Sequence, residues 1–154
     1  VDILDLIKQS VSSISSAYKE RGVVLELHTP KQVPLIHTDA DRLIQVLLNL
    51  LSNAVKFAPE EKGKVELHLR DSTKGITVEV IDNGVGIAPE KQNLVFEKFR
   101  QVEGETNNQS GTGLGLPISR QIIEHFGGHM WLRSEIGKGA CFGFFLPRKK
   151  LDFS

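Results

Sequence analysis

The chain has 154 residues, and nineteen Lys and Arg side chains balance nineteen Asp and Glu side chains. This length suits one domain with a single core, and the charge balance gives no general preference for nucleic acid or an anionic membrane. The apolar runs are far shorter than the roughly 20 residues that span a bilayer. The one cysteine, Cys141, excludes an internal disulfide, and its place in an alternating run predicts a buried thiol of low reactivity.

Hydrophobic periodicity divides the chain into helices and strands. In chain order it predicts a helix over 1–20, a strand over 23–28, a helix over 40–57, strands over 64–70 and 76–80, a helix over 117–126, and strands over 130–134 and 140–146. Gly22 and Pro59 end the first two helices, and Thr38 or Asp39 caps the second. We therefore expect an α+β fold, a two-layer α/β sandwich with helices on one face of a mixed, mostly antiparallel sheet. The opposite face is expected to meet solvent.

The first chemical pattern lies in the apolar run 49–57, where Asn49, Asn53 and Lys56 recur at intervals of four and then three residues. On a helix these side chains share one face. Two neutral oxygen ligands beside a cation suit a metal-bound polyphosphate better than they suit a core. The pattern therefore predicts a nucleotide-binding face on the second helix.

Two glycine-containing stretches support this interpretation. Asp82 follows a strand and can accept from a base amine, while Gly84 and Gly86 let the backbone approach a planar base. Taken alone, 82–87 is better explained by an Asp-Asn-Gly turn. The second stretch, 111–116, has three alternate glycines and leads into the third helix, whose N-terminus suits phosphate. It lacks the parallel βαβ context of a dinucleotide fingerprint and the Lys-Ser/Thr of a Walker loop.

These stretches, in this order, resemble the sequence boxes of the ATP-binding catalytic domain of sensor histidine kinases. The N box corresponds to 49–57, the first glycine box to 82–86, the F box to 96–99 and the second glycine box to 111–115. The resemblance covers essentially the whole chain and implies one domain over 1–154 with the GHKL (Bergerat) fold of DNA gyrase, MutL-like repair proteins and chaperone ATPases. A polar segment at about 84–113 is too long for a simple connection and is expected to form the ATP lid.

The resemblance also implies ATP and Mg²⁺ as ligands and assigns roles to individual residues. Asn53 is the expected principal Mg²⁺ ligand, with Asn49 supporting the metal and the phosphates. Lys56 is expected at the terminal phosphates and is, with Asn49, a catalytic residue. Asp82 accepts from the adenine amino group, and Thr112 assists through its hydroxyl or a water. The other residues expected at the nucleotide are Phe57, which alternatively packs in the core, and Gly84, Gly86, Ile87, Lys98, Arg100, Gly111, Gly113, Leu114, Gly115 and Leu116.

Position 49 bears on the reaction class. Related hydrolytic ATPases place a glutamate there as a base for water, and an amide cannot act as that base. The resemblance therefore implies transfer of the γ-phosphoryl group of Mg-ATP to a histidine on a separate dimerisation and phosphoacceptor domain, in two-component signal transduction. None of the five histidines stands in a His-Glu or His-Asp context, so the phosphoacceptor helices are expected to be absent. Each is interpreted as a surface or strand residue and not as a ligand: His28, His37, His68, His125 and His129.

The expected partners follow from the same resemblance. They are ATP, the phosphoacceptor-histidine helices of the parent kinase and a downstream response regulator receiver domain. Nucleic acid and direct membrane contact are not expected, and the fragment is expected in the cytoplasm even where its parent is membrane-anchored. Arg100-Gln101 is similar to the form found in hybrid sensor kinases. Two alternatives stay open, a GHKL-type ATP hydrolase and a non-catalytic ATP-sensing module.

Overall fold

The computed structural model describes residues 1–36, 38–86 and 115–148. Within these ranges the elements are α1 (Ile3–Arg21), β1 (Val24–His28), α2 (Ala40–Phe57), β2 (Lys64–Asp71), β3 (Gly75–Asp82), α3 (Gly115–His125), β4 (His129–Glu135) and β5 (Gly139–Pro147). Each helix and strand predicted for these residues is present. The bounds of α2 are those predicted, whereas α3 begins two residues earlier than expected, at Gly115. None of the described helices is long and apolar enough to cross a bilayer.

Capping side chains account for where the first two helices begin. The carboxylate of Asp2 accepts from the backbone N–H of Leu4 at 3.0 Å, and that of Asp39 accepts from the N–H of Arg42 at 3.2 Å. Of the two capping residues expected for α2, Asp39 is therefore the one that caps it. Gly22 ends α1 with φ of 70°, a left-handed conformation that glycine adopts at little cost.

The five strands form one sheet in the order β1-β2-β3-β5-β4. β1 is parallel to β2, and the other three pairings are antiparallel. The predicted β2–β3 hairpin is confirmed, with Leu67 opposite Val80. The mixed, mostly antiparallel sheet of the predicted sandwich is thus the one observed.

The core lies between one face of this sheet and the helices. Alternate residues of β2, β3 and β5 point into it and are almost fully buried: Val65, Leu67, Ile76, Val78, Val80, Phe142 and Phe144. α2 packs against β3 and contacts both α1 and α3. Its apolar stripe contributes Leu47, Leu50 and Leu51, each with no exposed surface. α2 is therefore the central helix, in contact with the sheet and with both other described helices.

The opposite face of the sheet, which was expected to meet solvent, has a buried carboxylate at its centre. Glu79 on β3 is only 5% exposed. It accepts from Arg70 and Arg133, each at 2.5 Å, and from the indole N–H of Trp131 at 3.4 Å. Burial opposes ionisation of Glu79, but the hydrogen bonds and charges of the two arginines outweigh it and hold the pKa of the carboxyl below its ordinary value. The centre of this face is therefore a polar cluster in which two solvent-exposed arginines cover a buried carboxylate.

Cys141 lies on the same face and is partly buried. Burial, together with the nearby charge of Glu79, raises the pKa of its thiol to about 11. A thiol of this pKa is almost entirely protonated near neutral pH and is a poor nucleophile. The predicted low reactivity agrees with this environment, although the side chain is less buried than expected.

Candidate nucleotide-binding site

The polar residues of α2 join this helix to α3. The side-chain nitrogen of Asn49 donates to the carbonyl of Gly115 at 3.0 Å and to the hydroxyl of Ser119 at 2.8 Å. One turn later, the side-chain nitrogen of Asn53 donates to the carbonyl of Asn49 at 2.8 Å. Both amide nitrogens are therefore bound to protein acceptors.

This arrangement leaves the two side-chain oxygens for a ligand, because no described residue donates a hydrogen bond to either. Asn53 is only 9% exposed, so its amide is held in a nearly closed environment. Amide oxygens are suitable ligands for Mg²⁺, which completes its octahedral shell with waters and phosphate oxygens. The donor set of Asn49 and Asn53 thus fits a magnesium ion that is shared with a polyphosphate.

Ser119 is the residue of this site that the sequence reasoning missed. It has no exposed surface, and its hydroxyl accepts from Asn49 across the α2–α3 interface. Its signal in the sequence is a polar residue at a core-facing position, three residues after the buried Leu116 and three before the buried Ile122. A hydroxyl at such a position indicates a buried hydrogen bond, and here that bond orients Asn49.

Lys56 and Phe57 end α2. The ammonium nitrogen of Lys56 lies 5.5 Å from the centroid of the Phe57 ring. Neither side chain is buried, so Phe57 does not take the alternative core position. A cation one turn after Asn53 would attract the negative charge of a phosphate chain bound at the two amides.

Asp82 is a buried carboxylate with one oxygen unused. It is 3% exposed, and its Oδ1 accepts from the N–H of Gly84 at 2.8 Å. Its Oδ2 is buried without a hydrogen-bond partner among the described residues. Burial raises the pKa of Asp82, and the backbone N–H groups of Gly84 and Ala140 oppose that shift. A buried acceptor without a partner is costly, and a ligand amine would satisfy it.

The charge of Asp82 also reaches Tyr18 on α1. The Tyr18 hydroxyl donates to the carbonyl of Leu51 at 2.8 Å, which ties α1 to α2. Burial, and secondarily the Asp82 carboxylate, raises the pKa of Tyr18 well above its ordinary value. Tyr18 therefore stays a neutral donor beside the end of β3.

Gly84 brings the loop after β3 against the end of α2. A Cβ at this position would lie 2.2 Å from the carbonyl oxygen of Phe57, so only glycine fits. At Gly115, by contrast, a Cβ would meet Asn49 at an ordinary 3.7 Å. Gly86 has φ of 83°, which is also a glycine conformation.

We therefore expect Gly84→Ala to lower the free energy of unfolding by about 1–3 kcal/mol, because the added methyl group forces the loop away from α2. Gly115→Ala is the matched control, and its effect should be small. Urea unfolding followed by circular dichroism measures both. Equal stability of the two variants would contradict the close approach at Gly84.

The structure brings two groups of predicted residues together. Asn49, to which Asn53 is hydrogen-bonded, meets Gly115 at the α2–α3 interface, and the Asp82–Gly84 turn meets the C-terminal end of α2. Leu116, the last residue of the predicted phosphate loop, is buried in the core. Seven other predicted site residues lie outside the described ranges, together with most of the predicted lid: Ile87, Lys98, Arg100, Gly111, Thr112, Gly113 and Leu114.

Comparisons with known proteins show the family to which this chain belongs. The family of histidine kinase-, DNA gyrase B-, and HSP90-like ATPases matches residues 38–150. The adaptive-response sensory kinase SasA of Gloeothece citriformis is 34% identical over 144 residues, which cover 94% of this chain and 35% of SasA. The chain thus spans about a third of the length of that relative.

Two solved structures have the same fold. Full-length ShkA, solved in complex with AMPPNP, is 34% identical with a TM-score of 0.84, and the match covers 98% of this chain and 31% of ShkA. ThkA, solved in complex with the response regulator protein TrrA, is 25% identical with a TM-score of 0.80, and the match covers 97% of this chain and 41% of ThkA. The predicted GHKL fold is confirmed. Because the family match extends over most of the chain and through α2, β3 and α3, this chain belongs to the histidine kinase-, DNA gyrase B-, and HSP90-like ATPases.

Proposed function

We propose that this chain binds Mg-ATP and transfers its γ-phosphoryl group to a histidine on a separate dimerisation and phosphoacceptor domain, in two-component signal transduction. The observation that carries the proposal is the amide at position 49. Asn49 donates its nitrogen to Gly115 and Ser119, so it is a fixed, neutral group at the place where hydrolytic relatives are expected to carry a basic glutamate. The sensory kinase SasA and the histidine kinase ThkA, both similar to this chain, support the same reaction class.

Four of the described site residues have a direct role in this reaction. The free Oδ2 of Asp82 accepts from the adenine amino group. The oxygens of Asn53 and Asn49 hold Mg²⁺, and Lys56 neutralises charge on the terminal phosphates. When bound, the metal supplies positive charge to the phosphate oxygens, where negative charge is greatest. The protein contributes mainly position and electrostatic stabilisation, as phosphoryl transfer requires.

The nucleophile must come from outside the described residues. His28 and His68 lie on β1 and β2, on the sheet face opposite the helices, and His129 lies on that same face of β4. His125 ends α3. None of these four lies on the face of α2 that carries Asn49 and Asn53. An imidazole nitrogen of a partner helix would therefore attack the γ-phosphorus. The P–N bond forms as the bond to ADP breaks, and the imidazole proton passes to solvent.

The proposed partners follow from this assignment. The phosphoacceptor helices of the parent kinase would supply the histidine, and a receiver domain of a response regulator would take the phosphoryl group from it. The ThkA–TrrA complex among the similar structures supports the second partner. The domain would act in the cytoplasm, where ATP and the response regulator are present.

The proposal is tested by incubating the chain with ATP labelled on the γ-phosphate, with and without a separately purified phosphoacceptor domain of a related kinase. We expect label on the partner's histidine, in an acid-labile and base-stable linkage, and little release of free phosphate without the partner. Replacing the acceptor histidine with glutamine should remove the label. Steady phosphate release without the partner, abolished by Asn53→Ala, would instead indicate an ATP hydrolase. Tight ATP binding with neither reaction would indicate a sensing module.

A further inference from the structure

A histidine pair lies on the sheet face opposite the nucleotide site. His28 on β1 and His68 on β2 are direct partners in the parallel register, and their rings stack with centroids 4.4 Å apart and planes within 4°. Two residues earlier in the same register, Glu26 faces Glu66. Because side chains alternate along a strand, all four point to the same side of the sheet.

The nitrogen and oxygen atoms of this cluster converge. Nε2 of His68 lies 2.8 Å from Oε1 of Glu66, and Nε2 of His28 lies 3.9 Å from the same oxygen. One ligand atom from each of these three residues falls within 4.8 Å of the others. Nε2 of His28 is also 3.3 Å from Oε1 of Glu26, which places a second carboxylate at the cluster.

We propose that His28, Glu66 and His68 bind a divalent transition-metal ion of the Zn²⁺ class, with Glu26 as the adjacent fourth ligand. Two imidazoles and a carboxylate are a common zinc ligand set. Ligand atoms about 2.1 Å from a tetrahedral ion are roughly 3.4 Å apart. This spacing lies between the distances from Oε1 of Glu66 to Nε2 of His68, 2.8 Å, and to Nε2 of His28, 3.9 Å. Stacked rings direct their lone pairs in parallel, so binding requires the imidazoles to tilt toward one another. Both rings reach solvent and have space to do so, with side-chain exposures of 47% and 27%.

The competing interpretation is a simple network of surface charges. Lys64 pairs with Glu26 at 3.5 Å and with Glu66 at 3.4 Å, and an ammonium there satisfies both carboxylates in the absence of metal. Exposed ion pairs of this kind contribute little stability, so a metal ion can displace the lysine at small cost. Lys64 does not account for the pairing of two histidines in register with the two glutamates. The metal would bridge β1, the edge strand, to β2.

The test is a calorimetric titration of the whole chain with ZnCl₂, in the absence of nucleotide and Mg²⁺. We expect one ion per chain, and we expect His68→Gln and His28→Gln each to weaken binding at least about 10- to 100-fold. His129→Gln is the matched control, since it removes a histidine from the same sheet face on β4. Zinc at about a hundred times its Kd should raise the melting temperature of the wild-type chain by roughly 5–10 °C.

Two further measurements make the outcome specific. Co²⁺ in place of Zn²⁺ should give the visible absorption of a tetrahedral ion, which His68→Gln should remove. Circular dichroism and ATP affinity should be unchanged in that variant, because the cluster is separated from Asp82 and Asn53 by the sheet. The proposal is overturned by a wild-type chain that binds no zinc, or by zinc affinity that is the same in His68→Gln and His129→Gln. Neither result would affect the proposed kinase function.

Discussion

Replacement of Asp82 with asparagine is expected to lower the affinity for ATP about 10- to 100-fold. A hydrogen bond to a charged group contributes roughly 1.5–3 kcal/mol, and each 1.4 kcal/mol is about a tenfold change in affinity. The asparagine oxygen can still accept from the Gly84 N–H, as Oδ1 of Asp82 does. Its nitrogen would then stand in the place of the unpartnered Oδ2 and would oppose the amino group of adenine, donor against donor. Calorimetric titration with ATP and MgCl₂ measures the change.

The stability of the Asp82→Asn variant tests whether its loss of ATP affinity is a local effect. Because burial raises the pKa of Asp82 in the folded chain, the folded state binds a proton at this group more tightly than the unfolded state. The contribution of Asp82 to stability is therefore least favourable above the raised pKa, and it increases as the pH falls through that pKa toward the ordinary value of an aspartate. At neutral pH the Asp82→Asn variant should be at least as stable as the wild type. Unchanged ATP affinity in a folded variant would contradict the assignment of the base pocket.

Replacement of Asn53 with alanine is expected to remove the part of ATP affinity that depends on magnesium. Loss of a metal-ligating oxygen in a nearly closed site should weaken binding of Mg-ATP roughly 10- to 100-fold. Binding of ATP in the presence of EDTA should change little, because Asp82 and the turn at Gly84 are intact. Paired calorimetric titrations, one with MgCl₂ and one with EDTA, separate these two contributions.

Ser52→Ala is the matched control for this experiment. Ser52 is the preceding residue of α2, is exposed, and donates to the carbonyl of Leu48 in its own helix at 2.6 Å. Asn53→Ala also loses the hydrogen bond to the Asn49 carbonyl, which should lower stability by about 1 kcal/mol without unfolding the chain. An equal loss of affinity with and without magnesium would show that Asn53 contacts the nucleotide in another way.

The features that the sequence predicted well depend on neighbouring residues. Asp39 and Pro59 bracket the apolar stripe of α2, so both ends of this helix could be located. Alternating residues on either side of a short turn indicated the β2–β3 hairpin, and its register follows from the turn. The spacing of Asn49 and Asn53 placed both amides on one helix face. Each of these patterns spans a few residues, where backbone geometry alone decides which side chains share a face.

Other features needed residues that are far apart in the chain. The hydroxyl of Ser119 accepts from Asn49 across 70 positions of sequence, and no local pattern links the two. Arg133 of β4 donates to Glu79 of β3 across 54 positions of sequence, although these two strands are not adjacent in the sheet. The register of β1 against β2 pairs His28 with His68, although each alone was interpreted as an ordinary strand histidine.

By itself the sequence determined the family resemblance, the helices and strands, and the residue types of the nucleotide site, because caps, periodicity and glycine spacing act locally. Only the tertiary structure decided that Asn49 and Asn53 present their oxygens, that Asp82 keeps one buried oxygen without a partner, and that two strands bring histidines and glutamates together. The physical reason is that burial and hydrogen-bond satisfaction depend on all elements packed around a group. The Asn49 side chain of α2 acquires its orientation from α3, through Gly115 and Ser119.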